Sequence, residues 1–344
     1  MIRQIKRLSQ TRIIALGFFF VIALGTFLLS LPFATKAGEV TTFTDAFFTA
    51  TSATCVTGLV TVDTCMHWTL FGQLVILAMI QIGGLGFITI AVMFSVFLRK
   101  KVGLQMRGVL QESVNAQKLG GIIRLLRKVF IGTMLVEGIG AIILAIRFSF
   151  DMDVKHAIYY GVFHSISAFC NAGFDLFGFQ GEYSSLVNYV GDPTINITIM
   201  LLIIIGGIGF IVWDDLSNNK LNFKKYMLHT KMALVMTFAL IFGGALLFYI
   251  FEKDNVLANA TVMEKIFGSL FGSVTTRTAG FNTLDVAAFK DSTKLLTCVL
   301  MFIGGSPGST AGGVKTVTIM VIITYLWNSL RSSKSCNNKA NTKC

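Results

Sequence analysis

Charge is what this sequence has least of: 13% of its residues are Asp, Glu, Lys or Arg, where a soluble domain carries about a quarter. Acids are the scarcer sign, 17 against 29 Lys and Arg. Histidine occurs four times without a second His or an acid at ligand spacing, and the six cysteines, at 55, 65, 170, 298, 336 and 344, form no close metal spacing. The clustered acids, His pairs or activated serine that a membrane-embedded enzyme needs are missing too. What is abundant is apolar: 54% hydrophobic residues and a mean hydropathy of +0.72. That balance excludes an ordinary soluble domain and leaves an all-α polytopic membrane protein.

Long apolar stretches lie at Arg12–Pro32, Trp68–Leu98, Ile122–Ile146, Ile195–Trp213, Met232–Phe251 and Leu295–Trp327, each near or above the roughly 20 residues that cross a bilayer. The longest exceed one crossing and must tilt, break or project. The first is too long for a signal-peptide core and lacks a clear cleavage site, so it reads as a membrane helix. The net charge of +12 does not point to nucleic acid, because its distribution is one-sided. Basic residues gather at Arg3–Arg12, Arg99–Arg107, Arg124–Lys128, Lys220–Lys231 and Arg331–Lys343, while Glu39, Asp63, Asp151, Asp192, Glu264 and Asp285 occupy the alternate loops. By the positive-inside rule the N-terminus and both linkers are cytoplasmic. The linker Arg99–Lys118 suits lipid headgroups or a partner subunit equally.

Three short, hydroxyl-rich segments interrupt this pattern. Asp45–Gly58, Phe163–Gly173 and Leu270–Gly280 each follow a membrane-length stretch, span about three helical turns or fewer, and end in a glycine. Those glycines are 115 and 107 residues apart, and each precedes a Gly-Gly pair, Gly83-Gly84, Gly206-Gly207 or Gly304-Gly305. A half-helix that stops inside a membrane must turn its free carbonyls toward protein or a water-filled path. The exit Thr54-Cys55-Val56-Thr57-Gly58 holds no carboxylate, so a cation passing there is read by backbone oxygens and hydroxyls. The expected architecture is therefore tandem parallel helix–pore-loop–helix repeats around a central ion pore, three of four being present. The boundaries are a leader 1–11, repeat 1 at 12–99, a linker 100–121, repeat 2 at 122–216, a linker 217–228, repeat 3 at 229–330 and a polar tail 331–344.

These repeats, with Gly58, Gly173 and Gly280 and the segment Phe302–Thr316, resemble the membrane subunit of bacterial Ktr potassium uptake systems within the Trk/Ktr/HKT superfamily. The resemblance covers nearly all of residues 10–328. It implies four repeats around one pore, with potassium coordinated by carbonyls just ahead of each glycine: Val56 and Thr57, Asn171 and Ala172, Thr278 and Ala279. Glycine at 58 goes with potassium over sodium. It also implies a gate formed by Gly304, Gly305, Pro307, Gly308, Gly312 and Gly313, with Lys315 as a positive plug. The implied protein is a homodimer in a bacterial plasma membrane, controlled by a cytoplasmic nucleotide-binding subunit of the KtrA type. Potassium is its substrate; no resident cofactor is implied, and sodium coupling is left open.

Several residues carry their own expectations. Glu137, midway along a membrane helix, is expected to meet a backbone donor or be protonated in place rather than carry ions. His164 reads as a hydrogen-bonding residue of the second pore helix, and Cys55 and Cys170 as small packing residues. Gln81–Gly86 reads as a site of close helix approach. Arg277 cannot face a cation path, so it is expected to scaffold the filter by pairing with neighbouring carbonyls or with Asp285. Gly308–Thr316 nearly spells a nucleotide P-loop, but Val314 spoils the spacing and apolar helices flank it. After Trp327 no fourth repeat follows, which leaves two readings: a ring closed by another polypeptide, or a truncated, non-conducting remnant.

Overall fold

The computed structural model describes residues 9–86, 89–90, 92–93, 108–110, 121–220 and 222–340. Residues 1–8 of the leader, the basic linker Arg99–Lys118 apart from 108–110, and the last four residues lie outside them. The described chain is helical, without strands. Its first group is α1 (Gln10–Leu29), α2 (Phe43–Cys55), α3 (Thr64–His67) and α4 (Leu70–Leu85). The second is α5 (Ile122–Phe148), α6 (Val154–Phe169), α7 (Pro193–Gly207) and α8 (Phe210–Asn219). The third is α9 (Leu228–Glu252), α10 (Val262–Thr275), α11 (Asp291–Phe302) and α12 (Thr316–Ala340).

Helices α1, α5 and α9 are each long enough to span a bilayer, with a mean hydropathy of 2.3. Their surfaces are inverted relative to a soluble bundle. On α5 the exposed residues Leu135, Ile139, Ile142 and Ile146 follow helical spacing along one face. The opposite face buries Thr133, Glu137, Gly140 and Leu144 against α6 and α7. Small residues let the helices close up: a Cβ on Gly161 would come within 3.0 Å of the Ala141 and Ala145 backbone of α5.

The short helices α2, α6 and α10 each begin with a side-chain cap, from Thr42, Asp153 and Thr261 respectively. At Thr261 the cap is reciprocal, with Glu264 accepting from the Thr261 amide. Each then runs inward and stops.

The helices that follow the pore loops are broken, as expected of the longest stretches but not of Ile195–Trp213, which needs correction. Trp68–Leu98 is interrupted at Gly86, where φ is 79°, so α4 ends at Leu85. Ile195–Trp213 is not one span: α7 and α8 meet at 96° across Ile208-Gly209. Gly209 sits at φ 98°, and a Cβ there would come within 2.6 Å of Pro307 O. The bend persists because Ser306 N and Thr310 N donate to Gly207 O and Gly206 O, while Phe210 N donates to Gly308 O. The break expected in the third group separates α11 from α12.

Candidate functional site: a carbonyl-lined ion filter

The last residues of α2, α6 and α10 lead into one repeated backbone shape. Val56, Asn171 and Thr278 lie in the left-handed region, at φ 57°, 57° and 68°. Two residues later Gly58, Gly173 and Gly280 have φ of 75°, 73° and 93°, values that side chains resist. The turn is fixed from behind. Thr57 N donates to Ser52 O, Ala172 N to Ser167 O, and Gly280 N to Thr275 O, each five residues back, as in a helix C-terminal cap. Hydroxyls brace the far side: Ser167 Oγ donates to Phe174 O and Thr275 Oγ1 to Phe281 O. In the first segment Thr57 Oγ1 instead donates to Ser52 Oγ.

The three segments come together. A Cβ on Gly58 would overlap the carbonyl oxygen of Ala172, and one on Gly173 would overlap that of Ala279. Each glycine therefore packs on the next segment, first to second and second to third. A Cβ on Gly280 would meet Gly173 Cα at 3.4 Å and nothing else. Between the third segment and the first lies a cavity of about 580 Å³, lined by Val56, Thr57, Gly58, Thr278, Gly280 and the loop residues Gly312 and Gly313.

The carbonyls of Val56, Thr57, Asn171, Ala172, Thr278 and Ala279 accept no hydrogen bond among the described residues. Asn171, Ala172 and Ala279 are buried. An unpaired buried carbonyl is costly, and three successive helices aim their partially negative C-terminal ends at the same place. The arrangement can replace the hydration shell of a monovalent cation.

Gly304, Gly305, Pro307, Gly308, Gly312, Gly313 and Lys315 form one loop between α11 and α12, seated against the α7–α8 break. Gly304 N donates to Val314 O, Gly305 N to Gly312 O, and Thr316 N to Gly305 O, so these amides are consumed inside the loop rather than left to cradle phosphates. Lys315 does not line the cavity. Its ammonium donates to Ala311 O at 2.8 Å and closes the loop on itself.

Two residues find partners other than those expected. Arg277 is buried but does not meet Asp285, which accepts instead from Ala287 N. Its Nη2 donates to Thr237 Oγ1 of α9 at 3.2 Å, because the residue after the α10 cap faces that helix rather than the outer loop. Glu137 is met by a side chain, not a backbone donor: Gln81 Nε2 lies 3.2 and 3.1 Å from its two oxygens, with Cys170 Sγ at 3.9 Å. His164 behaves as expected, donating through Nδ1 to Tyr160 O and accepting from Leu176 N at Nε2. Cys55 and Cys170 are free thiols. Close approach at α4 is real: a Cβ on Gly84 would come within 2.6 Å of Cys170 Sγ. Sequence reading missed Thr310, which contacts both Asn171 and Phe169 O. Its position inside a glycine-rich loop was the available signal.

Comparison with known proteins gives the family. Residues 8–342 match the family described as TrkH, cation transport protein. The chain belongs to that family. It is 42% identical over 320 residues to the potassium/sodium uptake protein NtpJ of Enterococcus hirae, covering 92% of this chain and 69% of that protein. Over 330 residues it is 43% identical to the Ktr system potassium uptake protein B of Bacillus subtilis, covering 95% and 72%. The solved structure of the potassium transporter TrkH from Vibrio parahaemolyticus superposes with a TM-score of 0.62 at 20% identity, over 98% of this chain. The chain spans 64% of that solved chain, and the likeness is one of fold.

Proposed function

We infer that this chain takes up potassium across a bacterial plasma membrane as the pore-forming part of a Ktr/Trk-type system. The observation that carries it is the set of six donor-free carbonyls from Val56 to Ala279, grouped by three positive-φ glycines. A dehydrated potassium ion is a fitting partner for such oxygens. The names of the Ktr and NtpJ relatives support the same substrate, and that of the Enterococcus protein keeps sodium in play. The basic segments support an N-terminus in the cytoplasm. A homodimer under a nucleotide-binding cytoplasmic subunit is the assembly we propose, on the Ktr resemblance.

The cavity between the first and third segments is where a further pore-loop unit, on the same or another polypeptide, would complete the ring. A non-conducting remnant is the weaker reading, because the three segments keep a common backbone. Potassium uptake by transport-deficient cells tests the reading, with the chain expressed alone and together with a fourth unit. Growth at low potassium is expected when the ring is complete. No growth in either case, at normal membrane insertion, overturns it.

A further inference from the structure

The loop 304–315 is tied to two of the three filter segments, and Thr310 is the main knot. Its hydroxyl accepts from Asn171 Nδ2 at 2.7 Å and donates to Phe169 O at 3.0 Å. One buried side chain thus holds the end of α6 and the left-handed residue that opens the second segment. The Thr310 amide donates to Gly206 O, which fixes it to the α7–α8 break. Two residues on, Gly312 N donates to Thr278 Oγ1, the matching left-handed residue of the third segment. At this position the first segment has Val56, which offers the loop no polar side-chain atom.

We propose that Thr310 is a specificity-determining positioning residue: through Asn171 it sets the carbonyl geometry of the second filter segment, so that moving the loop changes which ion is accepted as well as how many pass. The Asn171 amide has a second acceptor only at 3.5 Å, Phe169 O, and its Oδ1 has no partner. Thr310 is therefore its one short restraint among the described residues. The carbonyls of Asn171 and Ala172 are themselves unrestrained by hydrogen bonds. Discrimination between cations depends on the number and field of such dipoles, so rotating two of six alters it. By linkage, an ion that prefers the tied geometry also holds the loop in its seat.

The proposal rests on the transport reading. Thr310→Val removes the hydroxyl at nearly constant volume, and Thr310→Ser keeps it. Both are compared with the parent in the complete transport system in potassium-requiring cells, by radioactive rubidium uptake and its inhibition by sodium, corrected for the amount inserted. Thr310→Val is expected to lower potassium-over-sodium discrimination by about fivefold, the size of one lost hydrogen bond; Thr310→Ser keeps the parent ratio. Asn171→Leu lowers it as well, and the double variant is no worse than the single ones. If the valine protein does not insert, Thr310→Ala is read by the same criteria. Selective uptake by the parent with an unchanged ratio in the variant, or additive effects of the two changes, overturns the proposal alone. No uptake by the parent overturns the transport reading and this proposal with it.

Discussion

In the first pore loop Val56 turns the chain at φ 57° and in the second Asn171 does so at the same φ, and both are followed two residues later by a left-handed glycine. Their surroundings differ. Asn171 is buried and hydrogen-bonded to Thr310, and the Cys170 beside it packs on Glu137 and Gln81. Val56 is half-buried and lines the cavity with Cys55 and Thr57. The shape of the turn thus comes from cap hydrogen bonds and glycines common to both loops. Side chains at the turn are left free for other duties: a tie to the loop 304–315 in one segment, a wall of the cavity in the other.

Replacing the glycines should break this comparison most sharply. A Cβ on Gly173 strikes the carbonyl oxygen of buried Ala279, and among the described residues the second segment has no cavity beside it to move into, so Gly173→Ser is expected to abolish potassium uptake while leaving some inserted protein. Gly58→Ser strikes Ala172 O, but its own segment borders the cavity and can yield. Its main effect should be weaker potassium-over-sodium discrimination with residual flux. Rubidium uptake with and without sodium separates the two outcomes; equal behaviour of both variants would mean that the cavity gives the first segment no freedom.

A second asymmetry lies behind the filter. Glu137 joins α5 to Gln81 of α4 and to Cys170 at the second filter segment, and its own carbonyl accepts from Ser165 Oγ. Glu137→Ala should leave the Gln81 amide without its partner and destabilise the protein by about 2 kcal/mol. Glu137→Gln keeps an acceptor and should cost under half of that. Thermal midpoints of the purified protein in detergent read the difference, and equal midpoints would show that the cluster is not a restraint.

The stretch just past the second segment adds a dependence on pH. Asp175 lies two residues past Gly173, where burial, then the nearby Asp63 carboxylate, raise its pKa to about 6 despite a hydrogen bond from Phe177 N. Because the folded value lies above the unfolded 3.8, the folded state holds the proton more tightly. Stability from this group is complete below about pH 4, declines as pH rises through about 6 and is flat above. Asp175→Asn should remove that decline, so that variant and parent diverge with rising pH over this window. Midpoints measured at about pH 4.5 and about pH 7 test it; a constant gap would assign the shift to no role in stability.

Repeat spacing, hydropathy and terminal glycines make the membrane class and the three glycine-ended turns legible in the sequence, because those features are local and recur. What resisted reading depended on long-range contact. Ile195–Trp213 looks like one apolar span, since nothing in its composition says that Gly206–Gly209 will be opened by hydrogen bonds to a loop some hundred residues later. Proximity in sequence offers Arg277 neighbouring carbonyls or Asp285 as partners, whereas its position after the α10 cap turns it to Thr237 on α9. Glu137 drew notice as a buried charge, but its partner Gln81 lies 56 residues away in a different helix. Thr310 is one hydroxyl in a glycine-rich run, and its reach to Asn171 spans 139 positions.

The finest test exchanges the turn residues themselves. A β-branched side chain in the left-handed region is a steric outlier that costs about 1 kcal/mol, whereas Asn tolerates that conformation. Val56→Asn should therefore raise stability by about 0.5–1 kcal/mol, provided the valine contributes little packing. Its packing is limited to one side, where a Cβ on Gly83 would come within 2.9 Å of Val56 Cγ2, and the other side borders the cavity. No counterpart of Thr310 reaches this position among the described residues, so the new amide gains no restraint and ion discrimination should stay at the parent value. A lower thermal midpoint would show that contact with α4 outweighs backbone strain. Altered discrimination at normal stability would show instead that an amide at the turn acts on the filter without any tie to the loop, which would erase the difference between the two segments.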